Sequence, residues 1–335
     1  MTNMHRTLLT LILLCVASAL AAAEVQPLPE LGPAEYFAGR QAAYEPAAQP
    51  AAFGYPSELS EPLPAEADVY VMPKKPEGKP GFFQQAAVTT TWLPRGDADD
   101  FGIIDFEFSA IFAMHAPTRE SPLIFKPGSD IHLFDGPEAP DLPSKVYDEY
   151  LQIRWMSKLT DRLGVDVAVT PGVHTDFESG SEDGFRMTAH ALTAYEWDPT
   201  TQLVLGVLYL DSNDISFFPV GGVIWTPNEC VRYELVVPKP RIAWRTGVCC
   251  DVETWWYVAG EYGSGEWAIT RASGASDVIT LSDYRAIVGV ERKTTQGVSS
   301  RFEVGYVFGR ELEYESATPS IEPGDTVMTR VGLWY

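Results

Sequence analysis

Residues 326–335 read TVMTRVGLWY. Val327, Thr329, Val331, Leu333 and Tyr335 fall on one face of an extended chain, and Thr326, Met328, Arg330, Gly332 and Trp334 on the other. Strand side chains point alternately to opposite sides, so this period of two marks a strand whose two faces meet unlike surroundings. Most chains fray into a polar tail. Here the alternation runs up to a final aromatic residue.

The pattern recurs upstream. In GIIDFEFSAIFAM (102–114), Ile104, Phe106, Phe108, Ala110, Phe112 and Met114 oppose Asp105, Glu107 and Ser109. In SSRFEVGYVFGRE (299–311), Phe302, Val304, Tyr306 and Phe308 oppose Arg301 and Glu303. Alternation alone also fits a soluble sheet with one wet face. Full charges at strand centres and aromatics near strand ends are what a transmembrane barrel requires: apolar outside, polar inside, aromatic at both interfaces. We therefore expect an all-β fold, a closed antiparallel transmembrane β-barrel. A secreted sandwich or small barrel that binds a ligand is the soluble alternative.

Strand-like segments fall at 88–93, 103–114, 123–134, 146–157, 163–174, 185–196, 202–210, 217–225, 229–245, 252–262, 265–271, 283–292, 299–314 and 326–335. That makes about 14 strands, or 12 if the first and third fail. Even numbers and alternately short and long connections are the rule for such barrels. It puts TPNE, DPTT, YGSG and KTTQG at one rim. The long acidic connections, such as DGPEAPDLPSK and SATPSIEPGD, go to the other.

One stretch, ECVRYELVVPKPRIAWRTGVCC, has two readings. Apolar residues sit on odd numbers before Pro238 and on even numbers after Pro240. A hairpin at the prolines explains the slip, and so does a bulge in one long strand. Proline in a ladder favours the hairpin. The loop-length rule favours the bulge, which we adopt. It separates Cys230 from Cys249 and Cys250, so no bridge is expected between them.

The N-terminal part reads differently. Residues 1–23 have a basic start, an apolar run from Leu8 and Ala21-Ala22-Ala23, the features of a cleaved signal peptide. Residues 24–86 are rich in Pro, Ala and Glu and read as a disordered linker rather than a folded plug. The barrel is assigned to 87–335. The formal charge of −22 excludes nucleic acid as a partner. Beyond the signal run, three cysteines remain, an odd number that argues against a disulfide framework.

The polar faces carry the candidate lumen residues: Asp105, Glu107, Arg154, Asp166, Arg186 and His190 in the first half. In the second half they are Arg232, Glu234, Arg285, Glu291, Arg301 and Glu303. Both signs are present. Either the charges pair and close the interior, or they line water and tune permeation. Two segments, TQLVLGVLYL and FFPVGGVIW, are apolar on both faces; such a wall guides a hydrophobic solute or is packed against protein. No catalytic residue, cofactor or metal is assigned. His115, His132, His174 and His190 lack a Ser two positions away, the spacing that would place base and nucleophile together on one strand face. RGDADDFG lacks the ligand spacing of a calcium loop.

VMTRVGLWY resembles the C-terminal signal of bacterial outer-membrane proteins, matched by Val327, Val331, Leu333 and Tyr335, with Thr329 its weak member. Residues 88–335 resemble an uncharacterised family of outer-membrane barrels of planctomycete-type bacteria, on the stretches GVIWTPNECVRYELVVPKPRIAWR and SSRFEVGYVFGRELEY. The resemblance implies Sec-type export to the outer membrane, lipid as surroundings and the barrel-assembly machinery as reader of the last strand. It brings no activity. The expected role is a passive small-solute channel or a structural envelope protein; the alternatives are transport of a hydrophobic compound and the soluble ligand binder.

Overall fold

The computed structural model describes residues 82–335 apart from 97–100, 119–120, 137–140, 179–183, 212–215, 250–251, 295–296 and 317, with backbone alone at 115–118. The readings of residues 1–81 lie outside the described residues.

The strands are β1 (Phe83–Leu93), β2 (Gly102–Thr118), β3 (Ser121–Asp135), β4 (Lys145–Lys158), β5 (Leu163–Thr175), β6 (Phe185–Asp198) and β7 (Thr201–Tyr209). The second half holds β8 (Phe217–Asn228), β9 (Val231–Val237), β10 (Arg241–Cys249), β11 (Val252–Thr270), β12 (Ser276–Thr294), β13 (Ser299–Tyr314) and β14 (Thr326–Trp334). Each pairs antiparallel with the next, and β14 pairs with β1, so the sheet is a closed 14-stranded barrel. Closure leaves no strand edge to be covered. We call the end carrying Phe83 and Trp334 the terminal rim, and the opposite end the distal rim.

The facing follows the alternation. Phe108, Val304, Tyr306 and Leu333 are exposed on the outer wall, while Arg301 and Glu303 are buried on the inner one. Along β14, Val327, Val331 and Leu333 alternate outward with buried Met328 and Arg330. The outer wall is apolar. Val169, Leu205, Val258 and Val288 lie at mid-height, with Trp92, Phe185 and Phe217 towards the distal rim and Trp197, Trp225 and Phe302 towards the terminal one.

Three sequence expectations are corrected. Residues 229–245 are not one bulged strand. β9 and β10 form a hairpin, with Arg241 opposite Glu234 and Trp244 opposite Val231. Pro238 and Pro240 sit in the turn, where the missing N–H costs no ladder bond. The phase slip at the prolines is therefore a change of strand. Conversely, 252–262 and 265–271 are one strand, β11, unbroken through YGSG. A Cβ on Gly265 would lie 2.2 Å from the Trp267 ring, so this glycine makes room for an indole rather than a turn. One turn is gained and one lost, which is why the parity argument gave the right count with the wrong members. Lastly, β1 begins at Phe83, inside the stretch read as linker, and Phe83 packs edge-on against Phe112 with ring centroids 5.8 Å apart.

The expected absence of a Cys230–Cys249 bridge holds for a different reason. The Arg245 amide donates to the Cys230 carbonyl at 2.7 Å. That register sets Cys230 opposite Arg245, with Cys249 four residues farther along β10. Both cysteines are exposed and not joined to one another. Cys250 lies outside the described residues.

The doubly apolar segments form the inner wall of β6–β9. Leu192, Val204, Leu208, Val220, Ile224 and Val236 make one buried cluster there. A Cβ on Gly206 would lie 2.3 Å from the Ala191 carbonyl oxygen, so the backbones approach too closely for any other residue.

Candidate functional site: a closed interior

Alternation puts charges inside, and cross-strand neighbours then decide whether they are tolerable. Opposite side chains on a sheet are close enough to interact, and a buried charge is costly unless paired. The interior meets this demand in three groups.

On β4–β6, the Arg154 Nε–H donates to Asp166 at 2.8 Å, and a second guanidinium nitrogen completes a bidentate pair. His190 Nε2 lies 3.3 Å from the same carboxylate. Arg154 is 1 % exposed and Asp166 2 %, so this is a fully desolvated pair.

On β10–β14, Arg285 bridges Asp283 (2.7 Å) and Glu261 (3.1 Å). Arg330 donates to Glu261 at 3.2 Å and to Glu303 at 3.0 Å. Tyr257 also donates to Glu303, Arg301 lies 3.7 Å from it, and Arg241 donates to Glu291 at 2.8 Å. Next to this group, on β9, Arg232 and Glu234 pair at 2.5 Å.

On β2–β5, the His132 ring lies between two carboxylates, 2.8 Å from Asp105 and 3.1 Å from Asp148. His174 lies 3.0 Å from Asp148, and the Trp267 indole N–H donates to Asp148 at 2.6 Å. Glu107 is half-buried, directly across from Asp130.

Every candidate lumen residue named from sequence thus lies on the inner wall. Arg186 is used across the barrel. It pairs with Glu266, which belongs to β11 rather than to a neighbouring strand.

That contact reveals the site. β12 stays laddered to β13 up to Ile279–Tyr314, but the pairing of β11 with β10 ends at Ala259. Beyond it the distal half of β11, with β12 behind it, leans across the mouth until Ala268 pairs, in parallel, with Thr175 of β5. The Asp176 amide donates to the Ala268 carbonyl at 3.2 Å, and the Thr270 amide donates to the Asp176 carboxylate at 2.6 Å. Beneath this lid, Trp267, Ile269, Ile279 and Leu281 pack on Leu93, Phe101, Ile103, Phe134, Val146 and Leu312. Burying an aliphatic or aromatic side chain of this size is worth about 1.5–3 kcal/mol each, so the lid is seated by apolar burial and aligned by polar contacts. Phe101, in the stretch RGDADDFG, is one of its anchors, and its carbonyl accepts from Arg310 at 2.8 Å.

Arg271, at the tip of the lid, is the fastener. It donates to Asp141 at 2.7 Å and to Asp277 at 2.6 Å, and it reaches Thr318 at 3.0 Å, tying three distal connections together. The hydrogen bond from Arg271, with a second from the Ala272 amide, lowers the Asp141 carboxyl to about 2. A depressed carboxylate stabilises the fold above its unfolded value of about 3.9 and loses that contribution as pH falls through the folded value. The Asp141–Arg271 tie should therefore persist at pH 5 and weaken between about pH 4 and pH 2. Carboxyl NMR should give Asp141 a midpoint near 2, returning to the ordinary range in Arg271→Gln. An ordinary midpoint in the unaltered protein would remove the fastener from the account.

No protein-family model matches the chain, and no curated relative matches it. Among solved structures it is similar to LpxR from Salmonella typhimurium, with TM-score 0.35 and 10% identity over 75% of this chain and 99% of that one. It is also similar to OccK5 (OpdH) of Pseudomonas aeruginosa, with TM-score 0.29 and 9% identity over 76% and 97%. A third is a mutant of the TodX monoaromatic hydrocarbon channel, with TM-score 0.31 and 10% identity over 76% and 89%. At these scores the likenesses are too loose to argue from; the closed barrel rests on the strand pairing itself.

Proposed function

We propose that the protein is a structural barrel of the bacterial outer membrane, closed at rest, with no catalytic role. Its membrane setting is supported by the apolar outer wall, whose aromatics gather towards both rims around an aliphatic middle, as a lipid-embedded barrel requires. Closure is carried by one observation: the β11–β12 lid crosses the distal mouth and joins β5. Apart from the facing carboxylates Glu107 and Asp130, most charged side chains inside meet one of opposite sign, which suits a rigid scaffold better than a conduit, because a pore needs groups that solutes can displace.

One observation favours a second reading, a channel that opens on a signal. The lid meets the β4–β6 wall through side-chain contacts and a single backbone pairing, whereas true neighbours share long ladders. Bilayer recording tests both. The unaltered protein is expected to be silent, and steady ohmic conductance would contradict closure. If unfastening the lid with Glu266→Lys and Arg271→Glu produces openings, the gated channel gains over the structural barrel.

A further inference from the structure

Trp267 of the lid lands on a chain of ionisable side chains in the β2–β5 wall. Its indole N–H donates to Asp148 at 2.6 Å, and its ring centroid lies 5.1 Å from that of His132. His132 Nδ1 is 2.8 Å from Asp105, and its Nε2 is 3.1 Å from Asp148. His174 approaches Asp148 at 3.0 Å. The lid is therefore docked on the same carboxylate that the two histidines hold.

Donors and acceptors fix the number of protons in this group. A neutral imidazole has one N–H and one bare nitrogen, and an ionised carboxylate only accepts. With both nitrogens against carboxylate oxygens, His132 makes two hydrogen bonds only as an imidazolium, or beside a protonated carboxyl. Either way Asp105, His132 and Asp148 hold two protons among them, as one coupled unit. Removing one sets a bare nitrogen against a carboxylate, with a second negative charge on the far side of the ring.

The surroundings sharpen that cost. Glu107 on β2 is opposite Asp130 on β3, Asp130 is opposite Asp148 on β4, and Asp148 is opposite His174 on β5. Three carboxylates thus stand side by side in one row, and like charges placed opposite one another destabilise a sheet. Lys126 lies farther along β3, Tyr150 is next inward on β4, and Asp176 beyond β5 is engaged by the Thr270 amide.

We propose that the lid is a proton-operated gate, seated while Asp105, His132 and Asp148 hold two protons and released when a rise in pH removes one. Asp148 couples the two events, because it carries both the His132 contact and the Trp267 contact. Histidine–carboxylate groups work interfaces in this way elsewhere. The gate rests on the closed reading of the barrel, and the experiment separates the two.

The full chain is placed in lipid nanodiscs, with Cys230, Cys249 and Cys250 replaced by Ser. Ala268→Cys, at the junction of the lid with β5, is reacted with a small charged thiosulfonate. Its rate is divided by that of exposed Val298→Cys at the same pH, which cancels the thiol's own ionisation. The ratio should be low at about pH 6 and rise about tenfold or more by about pH 10. A ratio near one at the lower pH would sink the closed barrel and the gate with it. A low ratio that stays flat leaves the barrel closed and overturns the gate alone. His132→Gln should give a high ratio at both ends of the range, and a ratio as low as the parent's overturns the gate. Should that variant fail to assemble, Asp105→Asn decides. Its amide can donate to the bare ring nitrogen, so the group needs one proton fewer and the lid should stay seated throughout. A parent-like rise in Asp105→Asn overturns the proposal.

Discussion

Replacing Arg154 with Met should destabilise the barrel by about 3–5 kcal/mol, since it leaves a buried carboxylate without its partner. Asp166 is almost fully buried and takes both ends of the guanidinium fork. His190, at 3.3 Å, is too long and too weakly placed to replace it. The double change Arg154→Met with Asp166→Leu should recover most of the loss, because a matched apolar pair carries no desolvation penalty. Reversible denaturant unfolding in lipid or detergent measures both. A single variant within about 1 kcal/mol of the parent would mean that water reaches the pair and that the interior is wet.

The second large effect lies one residue away from a lumen position. Val304→Arg places a charge on the outer wall at mid-height, and should cost about 2–4 kcal/mol if that wall faces lipid. Val304 is 48 % exposed, between buried Glu303 and inward-facing Gly305. A soluble barrel would tolerate the same change within about 0.5 kcal/mol, as exposed surfaces do. The comparison therefore reads the surroundings of the outer wall and not its packing. A near-zero cost in a folded variant would favour the soluble alternative.

The sequence made the facing legible because two unlike solvents impose a period of two. Residues 102–114, 299–311 and 326–335 could be assigned to faces without any partner being known. It left the hairpin at Pro238–Pro240 ambiguous, because one local rule about proline stood against a rule about loop lengths. Strand membership alone cannot separate them when two errors cancel. YGSG was misread because glycine pairs mark both turns and sites of close approach, and the Trp267 ring that needs Gly265 is visible only once folded.

The inner wall was partly readable. Asp148 and Gln152 share the parity of Arg154 on β4, and Asp130 and His132 share it on β3, so phase alone would have found the His132–Asp148 group. The lid was not readable. Its alternation continues unbroken from the wall, and nothing local marks the point where β11 leaves its neighbours' height and crosses towards β5. The pairing of Arg186 with Glu266 depends on that crossing.

Closure at the distal mouth is the claim on which the rest stands, and a cysteine pair reads it directly. With the native cysteines removed, Ala268→Cys and Thr175→Cys sit opposite one another where the lid meets β5. In protein embedded in membranes, mild oxidation should join them nearly completely, detected as a shifted fragment after cleavage between the two positions. Failure to crosslink in a barrel that retains its folded mobility would contradict a seated lid, and with it the closed interior.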